Sequence, residues 1–99
     1  MKILITLTSR NGVLPFGQKL VLRKEPENEY DAEAIAVLVA GKRVSYVAQF
    51  YKIRGRTHWS ASRLLDHIPG QEIEAVVVGE NVAEVVLPAL KNDTYAEQA

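Results

Sequence analysis

The chain has 99 residues, 47% hydrophobic and 24% charged, with 12 basic and 12 acidic side chains, two histidines and no cysteine. These values describe one ordinary globular core and not a disordered chain, and they exclude a disulfide framework or thiol chemistry and argue against a zinc site built on His58 and His67 alone. Zero net charge argues against a strong non-specific polyanion binder, and the apolar run Ile3 to Leu7 after Met1-Lys2 is too short for a signal peptide or a membrane span, so a soluble, cytoplasmic chain without membrane contact is expected.

In chain order, Ile3 to Thr8 is rich in β-formers and predicts a first strand. Arg10-Asn11-Gly12 predicts a turn, and Pro15 and Gly17 bound a loop around Phe16. Lys19 to Lys24 reads as the second strand. Ala34 to Ala40, nearly continuous in apolar residues, reads as a third strand buried on both faces, with Ile35, Val37 and Val39 sharing one of them. Gly41-Lys42 turns into Arg43 to Ala48. Gln49 to Arg54 is expected to form a short helix ended by Gly55, and Ser60 or Ser62 to cap a second one running to His67 and stopped by Pro69-Gly70. Glu72 to Gly79 and Val82 to Leu87 read as a closing hairpin. Residues 1–90 thus form a single domain, and residues 91–99 have the composition of a flexible tail. About six short strands with hairpin connections suggest a mainly β fold, a small antiparallel barrel of the OB-like or SH3-like kind with one or two short helices, because a small sheet protects its edges best by closing.

The chain is organised around Leu20 to Ala36. Between two strand-like halves lies a charged, turn-forming loop: Pro26 fixes its own φ and restricts Glu25, Asn28 and Asp31 are turn-closing residues, and Tyr30 is one large aromatic in polar company. The loop is longer than a two-residue hairpin connection requires. Glu25-Pro26-Glu27-Asn28-Glu29-Tyr30-Asp31, followed by Ala34-Ile35-Ala36-Val37, resembles the signature of the HIRAN domain, in which an acid-Pro-x-Asn-x-Tyr-Asp loop leads into an Ala-Ile-x-Val strand. The resemblance spans roughly Leu4 to Val78 and takes in Gly41 to Val47, a Gly-x-x-Val-x-Tyr-Val turn and strand, and Leu64-Leu65-Asp66. It implies an OB-type barrel with extra helices, and a module often attached to helicases or nucleases, some members of which bind the free 3′-hydroxyl end of single-stranded DNA.

Two constellations carry candidate chemistry. Tyr30 offers a ring on which a base can stack, and the resemblance implies that Asp31 accepts a hydrogen bond from a terminal sugar hydroxyl, a role that would select an end over an internal phosphodiester. The structural alternative folds the Tyr30 ring onto the end of the barrel and leaves Asp31 to close the loop. Where end-binding relatives carry an Arg-aromatic pair, an ungapped count gives Thr8-Ser9, with Arg10 one place later; where they often carry histidine, this chain has Tyr46. The second constellation is Lys52, Arg54 and Arg56 interleaved with Trp59, which suits phosphates plus a stacked base; its alternative is a solvated loop with Trp59 pinned into the core. Both fall near Ala34 to Leu65, which holds six basic residues and no acid, whereas Asp66 to Ala99 holds seven acids and only Lys91.

No nucleophile–base pair or phosphate-cradling glycine loop is legible, so neither catalysis nor a cofactor nor a bound metal is expected. The expected function is non-catalytic binding of single-stranded DNA or a DNA end, with RNA as the variant ligand, in company with a separate helicase or nuclease chain and in an accessory role in DNA repair. The alternative is a protein-interaction module using an exposed strand edge or the acidic C-terminal third.

Overall fold

Strand β1, Lys2–Thr6, buries Ile3 and Ile5 and leaves Leu4 and Thr6 half-covered, the two-residue alternation of a strand with one face on a core. The computed structural model describes residues 1–8, 14–49, 52, 53 and 56–88, the backbone alone at 52, 53, 56 and 57. The expected turn at Arg10-Asn11-Gly12 and the tail from Lys91 lie outside the described residues. Strand β2, Lys19–Lys24, repeats the alternation with Leu20 and Leu22 inside. Strand β3, Ile35–Val39, is apolar throughout and is buried from Ile35 to Leu38, on both faces as the continuous pattern predicts. Strand β4 is Lys42–Tyr46; after it come two-residue strands β5, Lys52–Ile53, and β6, Arg56–Thr57, then helix α1, Ala61–Leu65, and strands β7, Glu72–Gly79, and β8, Val82–Val86.

Six of the strands form one antiparallel sheet in the order β1-β8-β7-β2-β3-β4. The β3–β4 hairpin turns through Ala40 and Gly41, both at positive φ, the backbone that a two-residue turn needs to match strand twist. Past their ends the two outermost strands meet: Leu7 bridges Val47, Thr8 N donates to Tyr46 O at 2.9 Å, and Ala48 N donates to Thr6 O at 2.8 Å. Among the described residues β1 and β4 are otherwise not paired with each other.

Helix α1 begins at Ser60, whose hydroxyl accepts from Arg63 N at 3.3 Å and so satisfies one of the free N–H groups of the first turn. It presents Ala61 and Leu64, with Ile68 just beyond, to the inner sheet face, where they join Ile5, Leu22, Ile35, Val77 and Val85 in one core. The sequence resembles no membrane span here either: no helix among the described residues is long and apolar enough to cross a membrane.

Where a helix was expected over Gln49–Arg54, Lys52 and Ile53 are extended instead: Lys52 pairs with Thr57 and Ile53 with Arg56, apart from the main sheet. The β-branched Ile53 and Thr57 favour strand over helix.

Val37 is fully buried on the inner face of a central strand. Replacing it with alanine should cost about 1–3 kcal/mol, from lost transfer energy and the cavity left behind, read as a lower midpoint with unchanged slope in urea unfolding.

Candidate functional site

The loop joining β2 to β3 is closed at its base by Glu25 N donating to Ala34 O at 3.0 Å. Above that bond there is no partner strand, so side chains satisfy the backbone. The Asn28 carboxamide does most of this. Its Oδ1 accepts from Tyr30 N at 2.9 Å and from Asp31 N at 3.1 Å, while its Nδ2 donates to Glu25 Oε1 at 3.0 Å. Asp31 continues the turn: Oδ1 accepts from Glu33 N at 2.9 Å, and Oδ2 accepts from Gln49 Nε2 at 3.3 Å. Gln49 in turn accepts from Ser62 N at 3.1 Å, which ties the loop to the first turn of α1.

The consequence is an ordered loop that holds its aromatic outward. Tyr30 is 90% exposed, so its ring does not lie on the end of the sheet, while Asp31 does close the loop. Tyr30, Asp31 and Asn28 of the loop line an open cleft of about 470 Å³ together with Arg43 and Tyr46 from β4 and Thr8 from just beyond β1. Such a volume lies in the range of small-ligand clefts. Tyr46 is half-buried. Its hydroxyl donates to Glu25 Oε1 at 2.9 Å and accepts from Arg43 Nη1 at 2.8 Å, with the guanidinium 5.2 Å from the ring centre. Thr8 Oγ1 accepts from Tyr46 N at 3.1 Å, fixing that strand end.

Of the residues singled out from sequence, the structure therefore brings Tyr30, Asp31 and Tyr46 into one cleft. Trp59 lies elsewhere: its N–H donates to Leu4 O at 2.8 Å, and its partly buried ring packs on the core between the Arg63 guanidinium at 4.0 Å and the edge of His67 at 4.8 Å. Arg10 and Arg54 lie outside the described residues, as do the side chains of Lys52 and Arg56. Sequence reasoning missed Arg43, Glu25 and Gln49 as members of the site. Arg43 and Tyr46 are three apart, and in a regular strand they would point to opposite faces. The pairing shifts at this point, with Val37 opposite Ser45 but Leu38 opposite Arg43, so Val44 is one extra residue and Arg43 returns to the face of Tyr46.

Comparison with protein-family models, with curated proteins and with solved structures gives no match. Among the described residues no cluster of three or more His, Asp or Glu side chains could hold a metal ion.

Asn28→Ala should remove the two acceptor bonds and the donor bond at once, at a cost of about 1–3 kcal/mol. Hydrogen exchange that quickens more at the Tyr30 and Asp31 amides than at the β2–β7 amides, which follow global unfolding, would locate the loss in the loop.

Proposed function

We propose that this chain is a HIRAN-like module that binds nucleic acid without catalysis, preferring single-stranded DNA or a free DNA 3′ end and acting beside a separate helicase or nuclease chain. The observation that carries the reading is the fully presented ring of Tyr30, held by a hydrogen-bonded loop in one cleft with Asp31 and a second aromatic, Tyr46. An exposed aromatic on an ordered loop is a stacking platform that any base can use, and a carboxylate beside it favours a hydroxyl donor over a phosphate. Tyr46 supports the reading from this chain's own residues, since Thr8 occupies the cleft where relatives place the Arg-aromatic pair. The contact between Leu7 and Val47 supports describing the curled sheet as an OB-type barrel.

A second reading, protein interaction, rests on a different place. A cleft of about 390 Å³ on the sheet's outer side is lined by Val76 and exposed Val86, with Glu74, Glu84 and Lys19 beside them. Its two acids outnumber its one cation, a balance that suits a basic, apolar peptide better than nucleic acid.

Binding of fluorescent single strands with free and phosphorylated 3′ ends separates the readings. The free end should bind more tightly, because a 3′ phosphate replaces a donor with about two negative charges beside Asp31. Asp31→Asn should erase much of that difference. Tyr30→Ala should weaken both ligands alike, by about 1–3 kcal/mol. Equal binding of the two ends would leave strand binding without end reading, and no binding of either would leave the interaction reading.

A further inference from the structure

We infer that Arg43 is the phosphate contact of the Tyr30–Tyr46 cleft and that the Tyr46 hydroxyl aims it, an inference that rests on the nucleic-acid reading above. The direction of each hydrogen bond follows from chemistry. A guanidinium has donors and no acceptor, so at 2.8 Å the Tyr46 oxygen must accept from Arg43. The single phenolic hydrogen is then free to go to Glu25 Oε1, 2.9 Å away, and that oxygen also receives Asn28 Nδ2. The chain of bonds runs one way, from Arg43 through Tyr46 to Glu25, and Asn28 joins it to the backbone of Tyr30 and Asp31.

Two properties follow. First, Arg43 has a neutral partner. Among the described residues the one ion pair is Arg23–Glu72 on the open sheet surface, so no carboxylate within contact distance neutralises Arg43, and a single N–H of its fork is used by Tyr46. Second, the guanidinium is held against the Tyr46 ring, at 5.2 Å from its centre, which lowers the rotamer freedom lost when an anion binds. A charged, ordered, only partly used fork beside two aromatic rings is suited to a phosphodiester next to a stacked base. The extra residue at Val44 is what places it there.

The test measures affinity of fluorescein-labelled oligothymidylate against salt for the unaltered chain and for Tyr30→Ala, Arg43→Gln, Arg43→Lys, Tyr46→Phe and the Arg43→Gln/Tyr46→Phe double variant, with thermal melting to follow the fold. Arg43→Gln should weaken binding about tenfold, the scale of one charge-assisted bond, and flatten the log–log salt slope by about 0.7, the value for one phosphate contact on a single strand. Arg43→Lys should keep the slope and lose affinity, because charge remains without the fork. Tyr46→Phe keeps ring and cation, and should weaken binding on its own but add nothing to Arg43→Gln; additive losses would assign Tyr46 a separate structural role and overturn the aiming. Arg43→Gln with unchanged affinity and slope, while Tyr30→Ala still weakens binding, overturns this inference alone. Full affinity in Tyr30→Ala would place strand binding outside this cleft and overturn this inference, while no binding by the unaltered chain overturns the nucleic-acid reading and this inference with it.

Discussion

Strand β2 hydrogen-bonds β3 on one side and β7 on the other, and the remainder of the molecule hangs on that double pairing. Val21 to Lys24 face Leu38 to Ile35, and Lys19 to Arg23 face Val76 to Glu72. The first set is a local hairpin, but the second joins residues about fifty apart, and β1 enters the sheet only through β8, which follows β7. A one-residue slip between β2 and β7 would turn Leu20 and Leu22 from the core to the open face. The end of β2 is pinned again by the chain before β7: Lys24 N donates to Gln71 O at 2.9 Å, and Lys24 Nζ to Ile68 O at 3.0 Å. The point at which the β2–β3 loop leaves the sheet, Glu25, is therefore set by long-range register and not by the loop itself.

Having left the sheet, the loop satisfies its backbone with two turn bonds, Asn28 N to Glu25 O and Ala34 N to Asp31 O, and with the side chains of its own Asn28 and Asp31, steadied by Gln49 from beyond β4. Asn28 folds the loop on itself, Asp31 closes the return into β3, and Gln49 links Asp31 to Ser62 at the start of α1. Order at this level permits a large aromatic to stand in water. A tyrosine on a loose loop would find apolar cover nearby, since burying part of its ring is favourable. Here the turn hydrogen bonds hold the backbone of Tyr30 away from such cover, and the exposure follows from the Asn28 geometry.

Much of this was legible in the residues. The unbroken apolar run of β3 announced a strand covered on both faces, and of the two serines expected to cap α1, Ser60 or Ser62, it is Ser60 that does so. At Lys52-Ile53 a helix was expected and a strand is found, because a short mixed run followed by glycine in the sequence suits either. A mainly antiparallel sheet was readable from strand count and short connections; whether its edges meet depends on twist and curl summed over six strands, which no local pattern encodes. The same limit governs the cleft. Tyr30, Asp31 and Tyr46 stood out by residue type within a motif, whereas Arg43 looked like an ordinary exposed cation, because a bulge at Val44 leaves no mark in the order of side chains. Glu25 and Gln49 act through bonds to residues distant in sequence, so their roles exist only in the folded chain.

One conflict in the cleft has to be resolved, since the loop from Glu25 to Glu33 carries five acids and no cation. Summed as bare charges it would drive off any polyanion. Three of the five carboxylates accept hydrogen bonds: Glu25 Oε1 from Asn28 and Tyr46, Asp31 from a backbone amide and Gln49, and Glu33 from the Ser62 hydroxyl. These bonds fix where those carboxylates stand and leave their charge intact. Tyr46 also stands between Arg43 and Glu25, so cation and carboxylate are bridged by one hydroxyl and do not collapse into a contact pair. Both signs line the cleft, Arg43 from β4 and Asp31 from the β2–β3 loop. For a nucleotide lying between them, the two are not equivalent. On the proposed nucleic-acid reading, an internal residue would bring a phosphate to each, and the one beside Asp31 would be repelled; a terminal residue would bring a phosphate to Arg43 and a hydroxyl to Asp31. That repulsion would act within a partly covered cleft, where salt screens it less than it screens the approach of a strand, so on this reading high salt should weaken strand binding more than it weakens the preference for an end.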